Sequence, residues 1–121
     1  MAGWVTAEIA HSKAASYYEK YLRSSLDIIM GHIVKDSEEG CFSTEVECSE
    51  FIKGKRTTIH EQWYGVYKEV DDFYNENKLN ERGKALLSII TDILLERGFY
   101  VEEFVRYPST ECILIKWDGA K

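Results

Sequence analysis

The stretch "NERGKALLSIITDILLERGFYVEEFVRYPSTECILIKW", residues 80 to 117, constrains the fold more than any other part of the chain. Leu86, Ile89, Ile90, Ile93 and Leu94 recur at helical spacing and form one apolar stripe. Asn80 opens this helix, and Gly98 follows Arg97 as a C-terminal glycine does. Next come "FYVEEFVRY" and "ECILIKW", rich in aromatic and β-branched residues and separated only by "PST". Two such runs with so short a connection pair as an antiparallel hairpin, with Ile113, Ile115 and Trp117 facing one way. A helix with one apolar stripe must bury it, and a sheet face offers the complementary layer.

The N-terminal part extends that layer. Thr6 is placed as an N-cap with Glu8 in the first turn, and Ile9, Ala14, Tyr18, Leu22, Ile29 and Ile33 keep helical spacing, which predicts a helix from about 6 to 34. A second row, Ala10, Tyr17, Tyr21 and Ile28, widens its apolar arc beyond what one small sheet covers, so homodimerisation through this helix is expected. "KDSEEG" at 35 to 40 closes the helix with a charged turn and a glycine. "CFSTEVEC" at 41 to 48 alternates, with Phe42, Thr44, Val46 and Cys48 on one face, as a half-buried strand does. Thr58, Ile59, His60 and Glu61 read as a capping box. Beyond them Ile59, Trp63, Val66, Tyr67, Val70, Phe73 and Tyr74 keep helical spacing, which predicts a second helix to about residue 75. The expected fold is therefore α+β: helices packed on a three-stranded sheet, in the order α-β-α-α-β-β, with a C-terminal antiparallel hairpin and one domain over residues 1–121.

Composition enters as a limit on function. The 121 residues suffice for one real core, and 45% hydrophobic content with a single proline argues against disorder. No apolar run approaches the roughly 20 residues of a membrane span, and the N-terminus has neither a basic leader nor an apolar signal core, so a cytosolic protein is expected. Three cysteines, Cys41, Cys48 and Cys112, suit a reducing compartment. Fifteen basic residues against 21 acidic ones give a net charge of −6, which disfavours affinity gained by neutralising phosphates.

Catalytic spacing is lacking. His11, His32 and His60 lie on separate segments, and "HEQWY" lacks the second histidine of a zinc-binding H-E-x-x-H, so no metal or other cofactor is expected. The chain has no G-x-S-x-G elbow and no phosphate-cradling glycine motif, so no catalytic residue is assigned. The only basic run is "KGKR". Lys53, Lys55 and Arg56 would precede the N-terminus of the second helix, where backbone N–H groups favour an anion, and Trp63 or Tyr64 could stack on a base. That defines an alternative function, a small anion- or nucleotide-binding protein. A third reading, a hydrolase assembled from separate segments, would depend on His60 or Glu61.

Residues 86 to 117, "LLSIITDILLERGFYVEEFVRYPSTECILIKW", resemble in their order the small accessory proteins encoded by bacteriophages, including the anti-CRISPR and anti-defence groups. The resemblance implies a non-enzymatic acidic protein that occludes a host nuclease or another nucleic-acid-binding effector. The leading expectation is such a phage-encoded inhibitor, meeting its host protein through acidic and aromatic side chains, with no membrane contact and with direct nucleic-acid binding disfavoured. Glu45, Glu47, Asp71, Asp72, Tyr74, Glu102 and Glu103 are the residues expected at that interface, where complementary charge would raise on-rate and selectivity.

Overall fold

The computed structural model describes residues 6–61, 65–75 and 78–118. The elements are α1 (Ala7–Glu38), β1 (Ser43–Glu47), α2 (Cys48–Phe51), β2 (Arg56–Glu61) and β3 (Val66–Asp71), followed by β4 (Tyr74–Asn75), β5 (Lys78–Leu79), α3 (Glu81–Glu96), β6 (Tyr100–Arg106) and β7 (Thr110–Lys116). This is the expected α+β class. The expected order also survives in outline, with two small hairpins, β2–β3 and β4–β5, set between α2 and α3.

The helix ends follow from local chemistry. The Thr6 hydroxyl accepts the Ile9 N–H at 3.2 Å, and the Asn80 side chain accepts the Gly83 N–H at 2.9 Å; each satisfies an amide that the first turn leaves without a helical partner. α1 runs four residues beyond its expected end and stops where Gly40 takes φ +83 and Cys41 N–H returns to the Asp36 carbonyl at 2.9 Å. α3 closes alike, with Gly98 at φ +92 and Phe99 N–H on the Leu94 carbonyl at 3.0 Å.

β7 is the central strand of a three-stranded antiparallel sheet, flanked by β1 and β6. Its register pairs Thr44 and Val101 with Ile115, and Val46 and Glu103 with Ile113, so these side chains share one face. Ile29 and Ile33 of α1 and Leu86, Ile90 and Leu94 of α3 join Val46, Ile113 and Ile115 in one buried cluster. Each such side chain contributes roughly 1.5–3 kcal/mol relative to exposure. Tyr17, Tyr18 and Tyr21 pack partly buried against the same cluster, and the Trp117 indole closes it, donating from Nε1 to the Cys41 carbonyl at 3.1 Å.

The strand expected at 41–48 is shorter. Phe42 lies outside it and is 64% exposed, contrary to the expected inward face, while Cys48 opens α2 and is buried. The larger correction is at 58–75. Among the described residues of that stretch no helix forms; β2 and β3 pair antiparallel from Arg56↔Asp71 to Glu61↔Val66. Thr57, Thr58 and Ile59 are β-branched in succession, which favours strand over helix. Gly65 takes φ +62 at the turn, a conformation that breaks a helix and closes a hairpin. The apparent 3.6-residue periodicity was two strands read through their turn. Thr58 to Glu61 is therefore no capping box, and His60 and Glu61 are strand residues.

Phe73, fully buried, anchors the region after that hairpin. The Tyr21 ring meets its edge at a centroid distance of 4.9 Å. Gly54 packs on it so closely that an added Cβ would lie 2.7 Å from its ring, and an added Cβ at Gly83 would strike the Phe73 carbonyl. Asn80 completes the clamp, its backbone N–H donating to the Phe73 carbonyl at 2.8 Å and its side-chain amide to the Asp72 carbonyl at 3.0 Å.

Candidate interaction surface

The helices cover one face of the three-stranded sheet, and its alternation puts a second set of side chains on the other. In register across β1, β7 and β6 these are Ser43, Lys116 and Tyr100; then Glu45, Leu114 and Glu102; then Glu47, Cys112 and Phe104; with Thr110 and Arg106 last. Glu45, Glu102 and Tyr100 are exposed, and Leu114 and Phe104 are half-buried, where their inward neighbours Thr44, Val46, Ile113 and Ile115 are buried.

Arg106 organises this outer face. From β6 its guanidinium spans β7 to reach β1, Nη2 donating to Glu45 Oε2 at 3.0 Å and Nη1 to Glu47 Oε1 at 3.2 Å. The hydrogen bond to Glu45 raises its pKa and keeps it fully charged. The arginine crosses β7 at Cys112, whose thiol is 1% exposed; burial pushes that thiol up, and the guanidinium opposes the shift. At the other end the Tyr100 hydroxyl donates to Glu102 Oε1 at 3.1 Å, which raises its pKa, and Lys116 Nζ stands 5.8 Å from the Tyr100 ring centroid. The result is a patch in which Leu114 on the central strand and Tyr100 and Phe104 on the edge strand β6 alternate with paired charges. Aromatic side chains are enriched at protein interfaces.

The expected interface residues do not stay together. Glu45, Glu47 and Glu102 share this outer face. Glu103 points to the helix side, where with Lys84, Leu87, Val105 and Glu111 it lines an open cleft of about 290 Å³. Glu111 is committed there, its Oε2 accepting the Leu79 N–H at 2.9 Å. Asp71, Asp72 and Tyr74 serve the fold. Asp71 accepts the Phe73 N–H at 2.9 Å and pairs with Arg56 at 3.4 Å, and Asp72 Oδ2 accepts the Lys55 N–H at 2.7 Å. The Tyr74 hydroxyl donates to the Ile52 carbonyl at 2.9 Å, and burial pushes its pKa well up.

The anion site loses its premise. Arg56 begins a strand, so no helix N-terminus follows Lys53 and Lys55, and the Arg56 guanidinium is engaged by Asp71. Trp63 and Tyr64 lie outside the described residues. Sequence reasoning passed over Arg106, Tyr100, Phe104 and Leu114. Their signal was the two-residue alternation of the hairpin strands, followed onto the side opposite Ile113 and Ile115.

Among the described residues no group of three or more His, Cys, Asp or Glu side chains could hold a metal ion, and no helix is long and apolar enough to cross a membrane. No family model, curated protein or solved structure matches the chain.

Proposed function

We propose that this protein is a non-catalytic, acidic binding module that caps a basic surface of a protein partner with the outer face of its three-stranded sheet. One observation carries the reading: on the side of the sheet away from α1 and α3, Leu114 lies between Glu45 and Glu102, and Tyr100 and Phe104 flank Glu102 along β6. These apolar and aromatic side chains supply desolvated contact area, and the carboxylates, in a chain of net charge −6, steer a cationic partner and fix its orientation. The likeness of residues 86–117 to phage accessory proteins supports a host nucleic-acid-binding effector in the cytosol as that partner, and inhibition by occlusion as the outcome.

A photo-crosslinking residue placed at Tyr100 tests this in the native host. It should capture one protein with a basic surface, and the same residue at Lys13 on the far end of α1 should not. Equal capture from both positions would contradict the proposal. A nucleotide-dependent rise in melting temperature would favour the anion-binding alternative instead.

A further inference from the structure

A different surface carries an independent inference. α1 has 32 residues, about 48 Å at 1.5 Å per residue, and its core-facing row is Ser25, Ile29 and Ile33. Beside that row Leu22, Leu26 and Met30 are only half-buried, and Val34, one turn on, is 54% exposed. Leu22, Leu26 and Met30 line an open groove of about 360 Å³ with Arg97, the residue that ends α3. Glu19, Arg23 and Asp27 form the outer wall, one turn apart along the helix.

The charges identify the occupant. The groove carries two acidic side chains, Glu19 and Asp27, and two basic ones, Arg23 and Arg97, so it is neutral within a chain of net charge −6. Such a surface selects neither a strongly basic nor a strongly acidic partner. It does complement itself. When a second α1 runs antiparallel across the first with Leu26 on the two-fold axis, Leu22 falls opposite Met30 of the other copy, four residues from the axis on each side. Arg23 then lies about two residues, about 3 Å along the axis, from Asp27 of the other copy, and the symmetry repeats the pair.

We infer that two copies of this chain form a closed antiparallel dimer through the Leu22–Leu26–Met30 strip of α1, held in register by two reciprocal Arg23–Asp27 pairs. α1 covers the inner side of the sheet, so this dimer leaves the outer face of both copies open and does not depend on the function proposed for it. The apolar strip excludes water at the centre, and the charged wall sets direction, since parallel helices in the same register would set Arg23 against Arg23 and Asp27 against Asp27.

Sedimentation equilibrium over a concentration series reaching the millimolar range tests the inference on the full chain. Reversible association of the 14.0 kDa monomer to a dimer is expected. Arg23→Asp should weaken the dimer about tenfold, and adding Asp27→Arg should restore it to within about threefold, because the swapped pair keeps its complementarity. Leu26→Glu should leave a monomer, with circular dichroism used to check that the variant remains folded. The charge-swap pair decides the matter even if that variant unfolds. A single monomeric species at every concentration would overturn the inference, as would a dimer indifferent to both the reversal and the swap.

Discussion

The Asp72 carboxylate accepts the Lys55 backbone N–H at 2.7 Å, and through that bond the loop before β2 is fastened to the turn after β3. The same oxygen accepts the Tyr21 hydroxyl at 3.3 Å, which draws α1 into the junction. Hydrogen bonds to a charged acceptor are worth more than neutral ones, so Asp72→Ala should cost about 1.5–3 kcal/mol in a urea titration. Asp72→Asn, which keeps one acceptor oxygen, should lose less. Equal losses in the two variants would mean that the carboxylate charge adds nothing at this junction.

Gly54 gives a sterically defined test of the same region. An added Cβ would lie 2.6 Å from Asp72 Cβ and 2.7 Å from the Phe73 ring; Phe73 is fully buried and Asp72 is held by the Lys55 N–H and the Tyr21 hydroxyl. Gly54→Ala should therefore destabilise by about 1–3 kcal/mol, the range of an overpacked core. Phe73→Ala should cost about 3–5 kcal/mol by leaving a cavity. A neutral Gly54→Ala would place the loop further from Phe73 than described.

The three thiols should separate in an alkylation time course followed by mass spectrometry. Cys41 is exposed and should react first. Cys48 is buried and its thiol is pushed up to about 12 by burial, with Glu111 adding to the shift, so it should resist until the chain unfolds. Cys112 should be slow in the native protein and faster in Arg106→Ala. Burial is the largest cause of its raised pKa, and removing the guanidinium that spans β7 at Cys112 should open the thiol to the reagent. An unchanged Cys112 rate in that variant would show that Arg106 does not cover it.

Cys48 also sets a pH dependence. Its folded pKa, about 12, lies above the ordinary value of 9.0, so the folded state holds this proton more tightly than the unfolded chain. The associated stability is complete below about pH 9 and is lost as pH rises toward 12, at up to about 1.4 kcal/mol per pH unit for one proton. Between pH 9 and 10, below the ordinary range of tyrosine, stability should fall more steeply in the native protein than in Cys48→Ala. Parallel slopes would contradict burial as the cause.

Where one signal dominated, the sequence was legible. Asn80 and Gly98 bracket α3 as read, Thr6 caps α1, and the β6–β7 pairing follows from two β-rich runs with a short connection. The segment from Arg56 to Tyr74 was ambiguous because its apolar residues fit a helical period across Gly65, and only the pairing of Arg56 with Asp71 resolves it. The candidate surface was half legible. Alternation located Glu45 and Glu47 on the open side of β1, but Arg106 reaches them from 59 and 61 residues away, a relation that depends on β7 lying between β1 and β6. Asp71 and Asp72 looked like surface charge because the donors they accept from, Phe73 N–H and Lys55 N–H, are backbone groups that composition does not reveal.

The most direct measurement for the outer face is affinity for the protein captured through position 100, with Glu45→Gln, Glu47→Gln and Glu102→Gln combined. At low salt that variant should bind about tenfold or more weakly than the native protein, and the gap should narrow as salt screens the carboxylates. Glu103→Gln, on the opposite face of the same strand, should bind as the native protein does. Equal affinity for the combined variant, or an equal loss in Glu103→Gln, would contradict binding through the outer face.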